Sequence, residues 1–210
     1  MSYTAKYTDE YGNEKDVSIT EDDSVKALKN DYEEIMRRYN PKYVKIRRIQ
    51  AKTGEAMHIK VTVNAPSHYL TSSEDVLPKT CDSMTVDIIC YAGYPLKAVS
   101  ASYNSGYYLA SPNVFRSGSA CIDTWIPFTS SLTTVVEKLV RDMIHDPSVT
   151  RYDSMANSSM KKWHEDGVKS GYFPTIHPKM LYAPEQTDLP PRRLAGKNAF
   201  VPPPLPERHH

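Results

Sequence analysis

The chain has 210 residues, enough for one domain of ordinary size with extensions or for two small ones. Its 26 basic and 25 acidic side chains nearly cancel, so the totals give no sign of a nucleic-acid or membrane partner, and neither is expected. Three cysteines without a C-x-x-C pair suggest neither a disulfide framework nor a metal site, the start is polar and unlike a signal peptide, and no apolar run could cross a bilayer. A reducing, cytoplasmic setting without a cofactor is the resulting expectation.

Tyr3 to Thr20 is polar and turns at Tyr11-Gly12-Asn13, which fits a hairpin against a sheet edge or a partly mobile extension. Residues 1–20 are therefore set apart. A helix follows, with Val25, Leu28, Tyr32, Ile35, Met36 and Tyr39 on one face. Asp23 or Ser24 can cap its start and Asn40-Pro41 ends it. Lys26, Lys29, Arg37 and Arg38 lie mostly off that stripe, as on a solvated face.

Tyr43 to Gln50 reads as a strand, and Thr53-Gly54-Glu55 as a hairpin turn. Met57, Ile59, Val61 and Val63 then alternate with His58, Lys60, Thr62 and Asn64, the period of a half-buried strand. Met84, Val86, Ile88 and Cys90 repeat it. The segment between, Ala65 to Ser83, reads as a long polar loop. A fourth strand is predicted at Ala98 to Tyr103, after a Tyr94-Pro95 turn.

Tyr107 to Phe128 has no clean period and holds Pro112, Gly118 and Pro127, so an irregular packed segment is expected. Leu132, Val135, Val136, Leu139, Val140, Met143 and Ile144 make the clearest amphipathic helix, capped by Ser130 or Ser131 and stopped at Asp146-Pro147. A weaker helix is predicted over 153–166. Antiparallel strands with helices grouped apart define an α+β class. Eight of the 16 prolines fall between Pro178 and Pro206, so residues 179–210 are expected as a proline-rich tail, either a solvated strap or a ligand for a proline-motif reader.

One stretch carries chemistry. Ser111-Pro112-Asn113 precedes Cys121 so that Asn113 stands eight positions before the cysteine, across a turn at Gly118, and Asp123 follows two beyond. A cysteine thiolate is a strong nucleophile, and polar glycine-containing loops are where such groups are presented. By composition alone a cysteine is most often a small core hydrophobe, the reading kept for Cys81 and Cys90. Asn113 serves a turn as readily as catalysis, Asp123 reads equally as a surface acid, and Trp125 and Phe128 read as packing residues.

These residues resemble the active-site stretch of ubiquitin-conjugating enzymes, where His-Pro-Asn precedes a thioester-forming cysteine by the same spacing. With the flanking elements, including Trp125-Ile126-Pro127, the likeness covers about Ser24 to Ser170, and residues 21–178 are expected as the catalytic domain. It implies an N-terminal helix, a four-stranded antiparallel meander, the active-site segment and C-terminal helices. It also implies that Cys121 accepts a ubiquitin-like modifier from an activating enzyme and passes it to a lysine of a protein target. Asn113 would shape the loop and support the oxyanion, and Asp123 would orient the incoming lysine or help it lose its proton.

Several positions depart from the family pattern. Ser111 replaces the family's His, and only four residues separate Cys121 from Trp125. Arg151 stands at the gate position, with Asp153 two residues on, and Cys90 at the bulky residue that ligases often grip. The pattern looks more like the conjugating enzymes of bacterial ubiquitin-like operons, some of them in phage defence. A catalytically inactive, modifier-binding scaffold is the alternative. A cysteine hydrolase would need a histidine beside the thiol, and neither His58 nor His145 belongs to a recognisable motif.

Overall fold

The structure, a computed structural model, describes residues 1–8, 13–72, 75, 77–103 and 107–184. Tyr11 and Gly12 of the expected turn, and most of the expected proline-rich tail, lie outside the described residues. Strands β1 (Ser2–Thr8) and β2 (Glu14–Thr20) pair antiparallel from Ser2↔Thr20 to Thr8↔Glu14. The Tyr3 ring lies over Gly93, where a Cβ would stand 3.1 Å from it.

Thr20 starts helix α1 (Glu21–Arg38) by a reciprocal cap. Its hydroxyl accepts the Asp23 N–H at 3.1 Å, and the Asp23 carboxylate accepts the Thr20 N–H at 3.2 Å. The cap is thus neither Asp23 nor Ser24, although Asp23 completes it. The buried positions are Ser24, Leu28, Asp31 and Ile35. Val25 and Met36, expected on the apolar face, are 58% and 48% exposed. The face is turned inward around Asp31, whose carboxylate has partners in the interior.

Next come β3 (Val44–Ile49), β4 (Glu55–Val63), β5 (Ser67–Leu70), β6 (Lys79–Cys81), β7 (Met84–Tyr91), β8 (Ser100–Tyr103) and β9 (Tyr108–Leu109). The main sheet has the order β3-β4-β7-β8, every neighbour antiparallel. Ile59↔Ile88 and Val61↔Val86 face each other across its centre and are fully buried. The second sheet, β6-β5-β9, corrects the sequence reading, because residues 65–83 are not one long loop. Its strands are short and inward-facing polar groups hide their pattern: Ser67 donates to the Met143 carbonyl at 2.7 Å, and His68 is buried.

Ser131 caps α2 (Leu132–Asp142) in a second reciprocal box, with Thr134. The helix lays Leu132, Val136, Leu139 and Val140 into the core against α1 and β4. It ends at Asp142, before the expected stop, as His145 takes a left-handed conformation at φ 59°. Helix α3 (Lys161–Lys169) starts well after the predicted 153, following a 3-10 turn at Ser158–Met160. The delay has a tertiary cause: the Asn157 N–H is donated to the distant Pro112 carbonyl at 3.0 Å, which holds the preceding chain out of a helix. Beyond α3, Leu181 is buried and the Ala183 N–H bonds the Arg38 carbonyl at 3.1 Å. Among the described residues, no helix is long and apolar enough to cross a membrane.

Candidate functional site

The spacing between Asn113 and Cys121 has a backbone explanation. After Asn113 the chain makes a narrow excursion: Val114 bridges Ala120, Phe115 N–H bonds the Ser119 carbonyl at 2.9 Å, and Gly118 N–H bonds the Phe115 carbonyl at 2.8 Å. Gly118 has φ 86°, and a Cβ there would stand 3.3 Å from the Tyr103 carbonyl, so this corner suits glycine. Two further bonds, Tyr103 N–H to Gly118 O and Ala120 N–H to Ala101 O, tie the loop to β8. The excursion returns Cys121 beside Asn113, and the Cys121 N–H donates to the Asn113 carbonyl at 2.8 Å.

Cys121 is a free, partly exposed thiol. Cys90 is fully buried, and burial, helped by the charge of Asp31, pushes its thiol up to about 12. Burial also raises the Cys81 thiol. Both changes disfavour the reactive thiolate.

Asn113 is only 4% exposed. Its Nδ2 donates to Asp142 Oδ1 at 3.0 Å and to the Val149 carbonyl at 3.3 Å. The side-chain amide therefore braces the loop in this state, with its hydrogens directed at those two oxygens. Ser111 Oγ donates to the same Asp142 Oδ1 at 2.7 Å and accepts the Asn113 N–H at 3.1 Å. Asp142 was missed by sequence reading. It sits on the buried side of α2, and burial pushes its carboxyl up to about 6 against the opposing effect of the Ser111 and Asn113 hydrogen bonds. The only trace in the sequence is an acid in register with Val135 and Leu139 on the apolar stripe.

Asp123, with φ 66°, is already engaged: its Oδ2 lies 2.5 Å from Lys138 Nζ, a nitrogen on α2. Arg151 and Asp153 face each other at 3.6 Å on the surface. Trp125 packs near Tyr94 and donates its indole N–H to the Pro95 carbonyl at 2.8 Å. Phe128, by contrast, is 55% exposed with φ 63°, because the turn after Pro127 points it outward, so it is not the packing residue expected.

The four buried histidines among the described residues are committed elsewhere. His58 Nε2 lies 3.1 Å from Asp87. His68 Nδ1 lies 3.2 Å from His145 Nε2, and His164 Nδ1 lies 2.7 Å from Tyr152 Oη. His68, His145 and His164 pack with Trp163 and Phe173 in one aromatic cluster that sequence reading did not detect. Among the described residues, no group of His, Cys, Asp and Glu is arranged to hold a metal ion.

Fold and site together define an α+β protein with a four-stranded antiparallel sheet, interrupted in the chain by β5 and β6, and a partly exposed cysteine tethered to a buried asparagine. No family model and no curated protein matches the chain. Among solved structures, that of S. cerevisiae Ubc12 is similar over 76% of this chain and 84% of that one, with 13% identity and a TM-score of 0.46. A likeness at that level assigns neither family nor activity.

Proposed function

We propose that the chain is a ubiquitin-like protein conjugating enzyme. The supporting observation is the Cys121 turn, which presents a free thiol while its N–H is tied to the carbonyl of Asn113. In the first step the Cys121 thiolate attacks the thioester that joins a modifier's C-terminal carbonyl to an activating enzyme. The enzyme's thiolate leaves, and the modifier is now held on Cys121. In the second step a target lysine amine attacks that carbonyl, the Cys121 thiolate departs, and the amine's proton passes to solvent.

Asn113 maintains the loop and becomes an oxyanion donor when its amide turns from the Val149 carbonyl, the longer of its two bonds, while Asp142 still holds it. Asp123 receives the incoming ammonium in exchange for Lys138. Residues 21–178 form the catalytic unit in this reading, and a proline-motif reader is the partner suggested for the tail. Ser111, Arg151, Cys90 and the short interval to Trp125 favour a bacterial conjugation system, some of which act in phage defence, and the sparse cysteines favour a reducing, cytoplasmic setting. The engagement of both Asn113 and Asp123 favours the second reading, a scaffold that binds a modifier without carrying it.

The deciding experiment is a trap. Cys121→Ser is expressed with the host's own proteins, purified without reductant, and searched for adducts by mass spectrometry. An ester on residue 121 supports the carrier reading and identifies the modifier. If no adduct forms, and wild type also stays unmodified with candidate activating enzymes and ATP, the carrier reading is overturned and the scaffold reading replaces it.

A further inference from the structure

Asp142 is expensive where it stands. It is the last residue of α2, where the helix dipole disfavours an anion, and it is 1% exposed, where desolvation disfavours one again. Its Oδ1 recovers part of this from two side-chain donors, and they are Ser111 and Asn113, the residues on either side of Pro112. Lys138 adds an attractive charge, and the buried Tyr103 hydroxyl, which makes no hydrogen bond, feels the carboxylate as well. One oxygen of α2 thus holds the loop whose other end is the Asn113 O···H–N Cys121 bond.

We propose that Asp142 is a positioning residue for Cys121: its carboxylate clamps Ser111 and Asn113 and so sets where the Asn113 amide stands relative to the thioester. This rests on the reading of Cys121 as an acyl carrier. Ser111 is the coupling piece, since its hydroxyl donates to Asp142 while accepting from the Asn113 backbone.

A merely stabilising role and a positioning role predict opposite outcomes for Asp142→Asn. Because burial raises the carboxyl to about 6, well above the ordinary ~4 of an unfolded chain, ionising Asp142 costs stability as pH rises through that window. The neutral isostere should therefore melt no lower than wild type at pH 7.5, yet lose the clamp's charge.

The test uses the full chain and a glycine-ended peptide as its mercaptoethanesulfonate thioester, which acylates a competent thiol without an activating enzyme. Acylation of Cys121 and its discharge to free lysine are followed by intact mass. Asp142→Asn is expected to acylate within about twofold of wild type and to discharge roughly tenfold more slowly. Wild-type discharge should inflect near pH 6 and the variant's should not. In parallel, the Asn113 side-chain amide resonance should shift between pH 5 and 7 in wild type and stay flat in Asp142→Asn. Ser111→Ala serves as a second, milder variant with the same direction of effect.

Wild-type discharge rates in Asp142→Asn, or an Asn113 amide insensitive to pH in wild type, would overturn the proposal. If wild type refuses the acyl group altogether, the carrier reading fails, while the resonance still decides for or against the clamp.

Discussion

Tyr94 and Asp31 share a hydrogen bond whose two oxygens converge on one backbone N–H. The phenol donates to the Asp31 carboxylate, and Leu132 N–H points at both, 2.7 Å from Tyr94 Oη and 3.2 Å from Asp31 Oδ2. Three separate pieces of chain meet there: the middle of α1, the turn after β7, and the first residue of α2. A carboxylate at a helix N-terminus is favoured by the helix dipole, which makes this burial of Asp31 tolerable. The phenol stays protonated, its pKa pushed far up by burial and by Asp31.

Tyr94→Phe keeps the ring in the core and removes the hydroxyl. It should cost about 1.5–3 kcal/mol in urea unfolding, the range for losing a hydrogen bond to a charged group. Acylation of Cys121 should be nearly unchanged, because Tyr94 braces the junction of the helices and not the Asn113 loop. A loss below about 0.5 kcal/mol would show that the Leu132 N–H satisfies Asp31 alone.

Much of the scaffold was legible because it repeats locally. Met57-Ile59-Val61-Val63 and Met84-Val86-Ile88-Cys90 alternate cleanly, and they are the two central strands. The return of Cys121 to Asn113 is encoded over a short stretch with one glycine corner. What sequence reading missed depends on partners distant in the chain. β5 pairs with β9 across a long interval, and its buried Ser67 and His68 look polar until Met143 and His145 are beside them. Asp142 reads as an ordinary charge at a helix end, since nothing local shows that Ser111 and Asn113 face it. The same holds for Asp123, whose partner Lys138 lies on the next helix.

The aromatic cluster predicts acid sensitivity. Burial holds His68, His145 and His164 below the usual histidine range, His164 to about 4. The His145 Nδ1 and His164 Nε2 atoms are buried without hydrogen-bond partners, so a proton added there has nothing to share it. The unfolded chain takes up protons near ~6.5, before the folded one does. Stability from these rings is therefore complete above about pH 6.5 and is lost as pH falls toward ~4. Thermal melts across that window should show Tm dropping on acidification, with a shallower slope in His164→Leu. An unchanged slope would remove His164 from the effect.

Gly167→Ala separates packing from helix propensity. Gly167 is inside α3, where alanine is ordinarily favoured by about 1 kcal/mol. Here a Cβ would stand 2.3 Å from the Phe173 ring, and Phe173 is held among His145, His164 and Trp163. The ring cannot swing aside without unpacking the cluster. The substitution should destabilise by about 1–3 kcal/mol in chemical denaturation, and a gain in stability would mean that the ring yields.

Lys138 and Asp123 give the prediction closest to the chemistry. A half-exposed carboxylate 2.5 Å from a resident ammonium is not free to receive a second one. If Asp123 recruits the acceptor lysine, then Lys138 competes with that lysine for the same oxygen. Lys138→Met should raise discharge of acylated Cys121 roughly threefold at low lysine concentration, and the advantage should vanish at saturating lysine, a KM effect without a kcat effect. Asp123→Asn tolerates the left-handed backbone at this position, and introducing it should abolish the advantage that Lys138→Met confers. If Lys138→Met discharges no faster at any lysine concentration, Asp123 acts only as the anchor of α2 to the cysteine loop, and the acceptor's ammonium is recognised elsewhere.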